Sequence, residues 1–201
     1  MFPGINPHAA APPSLAIASS TSGLDGANVT TSPISMPSGI RPSDLLLIAM
    51  GAQVAVTISG WTLLGSVGSA MVFYKVADGT EGASVNATHT SATTRWAAMR
   101  VVGNKSDTPV IATSSGTSAN PLPAAISPAW GADTGLFITM SDILHTSGYT
   151  GKPSGTTNVG SQIVFRSFSA DYLKLATATY TPTTYTTSTS AGWATATVAV
   201  H

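Results

Sequence analysis

Ser141, Asp142 and His145 bring the side-chain types of a serine hydrolase triad into one short segment. A triad works only when nucleophile, base and orienting carboxylate converge in space, and many such nucleophiles sit on a Gly-x-Ser-x-Gly elbow. The sequence has no such elbow. Asp78 and Glu81, in Asp78-Gly79-Thr80-Glu81, are the closely spaced carboxylates. They could offer oxygens to Ca²⁺, but they fall well short of an EF-hand loop. The remaining acids, Asp25, Asp44, Asp107, Asp133, Asp142 and Asp171, read as turn residues or strand starts, where aspartate bonds its own backbone. His8, His89, His145 and His201 are too dispersed for a metal motif. There is no cysteine, which removes disulfides, thiolate metal sites and thiol nucleophiles together. Neither a phosphate loop nor a dinucleotide glycine signature occurs. Arg95 and Arg100 flank Trp96, a grouping that single-strand binders use. One aromatic between two arginines is no platform, so a solvated strand edge or a subunit contact is expected there. These observations predict a protein that is not an enzyme and needs no cofactor or metal.

Trp61, Trp130 and Tyr149 are candidate contacts for a partner, because aromatic rings stack on sugars and anchor protein interfaces. Trp96 and Trp193 occupy matching places in the chain and are expected to serve the core instead.

Composition narrows the class of partner. Charged residues make up 8% of the 201, with Lys+Arg and Asp+Glu equal at 8 each. An ordinary globular chain has about 25%. Soluble monomers keep some net charge to resist self-association, so a neutral, hydroxyl-rich chain suits a place inside a larger assembly. The same neutrality argues against electrostatic capture of nucleic acid or of an anionic membrane. No apolar run approaches the roughly 18 residues of a membrane span. The segment Met1–His8 has early prolines and no positive region, unlike a secretory signal.

The elements that must position these residues read as strands. Residues 1–14 contain Pro3, Pro7, Pro12 and Pro13 and predict an extended arm, since proline fixes φ and removes a donor. Phe2, Pro3, Ile5 and Pro7 are its candidate partner contacts. Leu15–Ser19 predicts a first strand, broken by Gly23 and Gly26. Asp44–Met50 is apolar on both faces, as a fully buried strand is. Trp61–Leu64 and Ala70–Ala77 predict a hairpin. Ser84–Thr90 alternates, with Val85, Ala87 and His89 on one face. Residues 103–133 carry repeated Gly and Pro and predict a seam with one strand at Val110–Ala112. Residues 146–158 predict an exposed loop.

The chain also repeats itself. Val67-Gly68-Ser69-Ala70-Met71-Val72-Phe73 returns as Val159-Gly160-Ser161-Gln162-Ile163-Val164-Phe165. Leu46–Met50 is echoed by Leu136–Met140, and Trp96-Ala97 by Trp193-Ala194. Short strands at regular spacing with Gly/Pro turns predict an all-β sandwich or barrel. Neither half holds a comfortable core alone. The expectation is one sandwich over 15–201, built from pseudo-repeated halves at about 15–102 and 134–201. Two small tandem β domains are the alternative.

Pro42-Ser43-Asp44-Leu45-Leu46-Leu47-Ile48, Gly60-Trp61-Thr62, Val72-Phe73-Tyr74-Lys75-Val76-Ala77, Trp96-Ala97 and the strand Trp193–Val200 together resemble a broad group of bacteriophage virion structural proteins. Those proteins have Gly where this chain has Ser43. The resemblance spans about residues 15–201 and brings no catalytic residues. It implies a jelly-roll-like or immunoglobulin-like β-sandwich, present in multiple copies on a virion assembled in a bacterial host. The roles it implies are capsid decoration or cement, head fibre or tail protein. Partners would be other copies of the chain and major capsid or tail proteins. The alternative is a carbohydrate-binding, receptor-contact module of a tail fibre, with a host-surface glycan as ligand.

Overall fold

A computed structural model describes residues 13–105, 108–164 and 166–201, with backbone alone at 27 and 28. Among the described residues the fold is all-β and holds no helix. The candidate contacts Phe2, Pro3, Ile5 and Pro7 lie outside the described residues.

The first half supplies β1 (Ala16–Ser35), β2 (Leu45–Gly51), β3 (Val56–Ile58), β4 (Thr62–Val67), β5 (Ala70–Val76) and β6 (Ser84–Val102). They form one antiparallel sheet in the order β1-β6-β2-β5-β4, with β3 paired to β6 as well. The second half supplies β7 (Val110–Ser118), β8 (Thr134–Ile143), β10 (Thr157–Val164), β11 (Arg166–Ala176) and β13 (Ala191–Val200). Their order is β10-β11-β8-β13-β7. Between them, β9 (Tyr149–Gly151) and β12 (Thr186–Thr187) make a separate two-stranded ribbon.

Written from the other edge, the second sheet reads β7-β13-β8-β11-β10, which matches β1-β6-β2-β5-β4 strand for strand. The sheets pack so that β1 meets β10 and β7 meets β4, while β6 meets β11 and β13 meets β5. The central strands β2 and β8 face each other. Each of these cross-sheet contacts is answered by its counterpart, as in an isologous dimer. The repeat is an internal two-fold arrangement of one β-sandwich.

Three clusters hold the layers. Between the sheets lie Leu45, Leu47, Val72, Met99 and Val101 from the first and Leu136, Ile138, Met140, Phe168 and Val198 from the second. Ile34, Met36, Leu46, Ile48, Met50, Phe73 and Trp96 pack on the outer face of the first sheet. Residues of β2 thus bury both faces, as their unbroken apolar run predicts. Each such fully buried side chain contributes about 1.5–3 kcal/mol. The outer face of the second sheet holds a smaller cluster of Ile126, Phe137, Tyr180 and Ala199.

The first sheet covers its own outer face. Strand β1 changes register against β6 between Asp25 and Thr31 and turns back. Thr21 Oγ1 then donates to the Ser35 carbonyl at 2.6 Å, and Ser19 Oγ to that of Ser38 at 2.8 Å. Gly23 and Gly26 do not end this strand, contrary to expectation. Gly23 lies opposite Trp96 in the ladder, and a Cβ there would come within 2.5 Å of the indole. It is a glycine of close approach, and the ladder around it is intact. Gly116 repeats the arrangement beneath Trp193, at 2.8 Å.

The seam strand is longer than Val110–Ala112. It runs to Ser118 along β13. The segment after it lies over the second sheet, where the Ala124 carbonyl accepts from Thr197 Oγ1 at 2.7 Å and Ile126 bridges Tyr180. Nor is 146–158 simply a loop, since it contains β9.

The Val-Gly-Ser echo pairs differently in space than in sequence. Gly68 sits in the β4–β5 turn with φ 52°, whereas Gly160 lies within β10. The spatial counterpart of Val159-Gly160-Ser161 is Leu64-Gly65-Ser66. Both strands carry a register shift just before the glycine, at Leu63/Gly65 and Asn158/Gly160. Leu64 and Val159 both reach the inter-sheet core from these bulges. The glycines let the opposite sheet's edge come close, Ile111 at Gly65 and Ser22 at Gly160.

Candidate functional site

Two adjoining cavities open at one end of the sandwich, sharing Gln53. The larger, about 490 Å³, is lined by Ser69 of the β4–β5 turn, Ser115, Gly116 and Thr117 of β7, Leu144, and Trp193. The smaller, about 310 Å³, is lined by Gln53 and Val54, Ser91 to Thr93, and two arginines, Arg95 and Arg166.

The arginines are buried in reciprocal fashion. Arg95 lies in β6 opposite Gly51, is fully buried, and reaches across to the second sheet. Its Nε donates to the Val164 carbonyl at 3.2 Å, and its Nη2 donates to the same oxygen. Arg166 opens β11 and is 7% exposed. Its Nη2 donates to Asp142 Oδ2 at 2.6 Å and, reaching the first sheet, to Ser69 Oγ at 2.8 Å. Asp142 is fully buried on β8. It faces Gly51, where a Cβ would stand 2.7 Å from Oδ1. Glycine at 51 is what admits the carboxylate.

Charge does not balance here. Two guanidinium groups share one carboxylate. Among the described residues, Arg95 Nη1, Arg166 Nε and Arg166 Nη1 are buried without a hydrogen-bond partner, as is Asp142 Oδ1. Burial lowers the pKa of Arg95; Asp142 opposes this and Arg166 adds to it. Burial likewise lowers Arg166, against the pull of Asp142. Burial pushes the Asp142 carboxyl up, and Arg166 works against that. A buried donor left unpaired costs about 1–3 kcal/mol, more when charged.

Arg95 is therefore not on a solvated edge, and it points away from Arg100. Arg100 Nε instead binds Asp44 Oδ2 at 2.6 Å. Asp142 and Asp171 are strand-interior acids and not turn residues. Asp171 is fully buried and accepts from Tyr185 Oη at 3.0 Å, Ser169 Oγ at 2.7 Å and Asn158 Nδ2 at 3.0 Å. Periodicity could not reveal these positions, because a lone charge in an apolar run resembles a strand end. The usable signal was context: Arg166 stands between Ile163-Val164-Phe165 and Ser167-Phe168 in a chain with few charges.

The other residues singled out by sequence are dispersed. Asp142 is engaged by Arg166, while His145 Nδ1 accepts the Ser147 amide at 3.0 Å. No hydrogen bond joins Ser141, Asp142 and His145 among the described residues. Asp78 and Glu81 turn to Lys75 and to amides of their own loop. No group of three or more acidic or histidine side chains is placed to hold a metal among the described residues. Trp61 is half-buried beside the outer core of the first sheet. Trp130 is half-buried and stacks on His201, with ring centroids 5.1 Å apart. Tyr149 packs on Tyr185, and its hydroxyl donates to the carbonyls of Ser141 at 2.7 Å and Ser167 at 3.2 Å. Neither Trp61, Trp130 nor Tyr149 lines the paired cavities. Trp96 is a core residue, and Trp193 lies half-buried at the mouth of the larger cavity.

No known protein family, curated protein or solved structure matches this chain.

Proposed function

We propose that this chain is a non-enzymatic structural component of a bacteriophage virion, present in multiple copies. The observation that carries the reading is how the few charges are used. Lys75, Arg100, Lys105, Lys152 and Arg166 each pair with an acid of the same chain, and Arg95 is buried. The surface left over is hydroxyl- and amide-rich, with single apolar side chains such as Leu63, Leu122 and Ile163 exposed. Such a surface resists self-association poorly and favours neighbours. The virion assignment rests on the sequence resemblance, and the sandwich suits it. Residues 1–14 act as the anchor, because an extended proline-rich segment can add its backbone to a partner's sheet edge without pairing with itself.

Immunogold labelling of purified particles with an antibody to this chain tests the assignment. Labelled particles are expected; unlabelled particles, with the chain recovered only as a free monomer by sedimentation velocity, overturn it. A chain lacking residues 1–14 is expected to fold and to be absent from particles. Normal incorporation of that truncation removes the anchor role.

A second reading, a receptor-contact module for a host glycan, is favoured by the larger cavity. It offers Trp193 beside Ser115, Thr117 and Gln53, an aromatic ring flanked by hydroxyls and an amide. A glycan array probed with the intact chain and with the Trp193→Phe variant separates this reading from the first.

A further inference from the structure

We propose that the cavity between Arg95 and Arg166 is an oxyanion site that takes a phosphate or carboxylate group. Both side chains line it, and together they leave three buried guanidinium nitrogens without partners among the described residues. Guanidinium groups bind carboxylate and phosphate through paired, charge-assisted hydrogen bonds, which are about twice as strong as neutral ones. The cavity, at about 310 Å³, accommodates such a group. Its remaining polar lining, Gln53, Ser91 and Thr93, consists of uncharged hydrogen-bonding side chains. With Asp142 ionised and bonded to Arg166, one positive charge of the cluster has no counterion among the described residues. An oxyanion in the cavity would neutralise that charge.

The site is built across the sandwich. Arg95 belongs to the first sheet and is fixed by Val164 of the second; Arg166 belongs to the second and is fixed by Ser69 of the first. An anion held between them ties both sheets at this end. The proposal is independent of the virion assignment, since it concerns a ligand and not a location.

The test follows the side-chain Nε–H resonances of Arg95 and Arg166 in the ¹⁵N-labelled full chain. Sodium phosphate, sodium acetate and sodium chloride are titrated separately at equal ionic strength. Saturable shifts are expected with phosphate, acetate or both, at an affinity about tenfold or more above that of chloride. A response to one oxyanion alone identifies its geometry, and a response to both identifies a general oxyanion site. Equal responses to all three salts, or none, overturn the proposal and leave water as the partner of the arginines. Ser91→Trp narrows the cavity from an exposed rim position and leaves both arginines in place. It is expected to weaken oxyanion binding about tenfold or more while the fold is kept. Undiminished binding by folded Ser91→Trp protein places the ion elsewhere and also overturns the proposal. Arg95→Gln, where it folds, is expected to abolish the shift at Arg166.

Discussion

Replacing Asp142 by Asn leaves Arg95 and Arg166 buried with no compensating charge, and the expected loss is about 3–5 kcal/mol in urea unfolding. Adding Arg166→Met to Asp142→Asn is expected to recover part of that loss, because the uncompensated charge is removed with its partner. The glycines beneath the tryptophans make a paired test. Gly23→Ala and Gly116→Ala each drive a methyl into an indole, and each is expected to cost about 1–3 kcal/mol. Gly23→Ala is the more damaging, since Trp96 is buried in the core whereas Trp193 is partly free to yield. Asp78 titrates at about 2, held low by the Thr80 hydroxyl and amide and then by Lys75. Burial works against Glu81, but Lys75 and the loop amides hold it below the ordinary range as well. Depressed carboxyls favour the ionised, folded loop. The contribution of Asp78 is complete above the usual carboxylate range and is lost as pH falls through about 2. Amide shifts of Gly79 and Thr80 are expected to stay constant down to about pH 4 and to titrate below it.

Strands of the two halves differ in how openly the sequence declares them. Residues Leu45–Met50 announce β2 because burial on both faces leaves no polar position. The alternation of Val85, Ala87 and His89 likewise declares one face of β6, and His89 indeed bonds Ser32 Oγ at 2.9 Å inside the fold. The reach of β1 through Gly23 is hidden, because the reason for that glycine lies far along the chain at Trp96. The buried arginines are hidden for the same reason: each donates to an oxygen on the other sheet. Local pattern reports local geometry, and what depends on the meeting of two sheets leaves only the oddness of a charge in an apolar setting. The bulges at Leu64 and Val159 supply an element-scale prediction. Deleting Val159 removes the bulge: Asn158 and Gly160 keep their partners Asp171 and Ala170, but the inter-sheet core loses the Val159 side chain. Hydrogen exchange in the deletion variant is expected to be faster across β10 and its partner β11, with β13 and β7 little affected.

The molecule as a whole is two copies of one strand plan packed face to face, yet its outer faces have diverged. The first sheet covers itself with its own bent ribbon and an apolar cluster. The second buries Thr139, Ser141, Ser167, Ser169, Thr195 and Thr197, and carbonyls of connecting segments accept from Ser167, Thr195 and Thr197. Loss of these bonds should be felt locally. Tyr185→Phe removes the donor to Asp171, and a loss of about 1–3 kcal/mol is expected by thermal or urea unfolding.

Strand order has a consequence for the chain as it is made. In each half the strand synthesised last, β6 or β13, inserts between the two made first, β1 and β2 or β7 and β8. Neither sheet can close until its half has left the ribosome. Until then the edges of β2 and β8 stand open to any passing strand, so the window for misassembly is set by the pace of translation. A message cut short before Ala191 would leave β7 cut off from β8, β11 and β10.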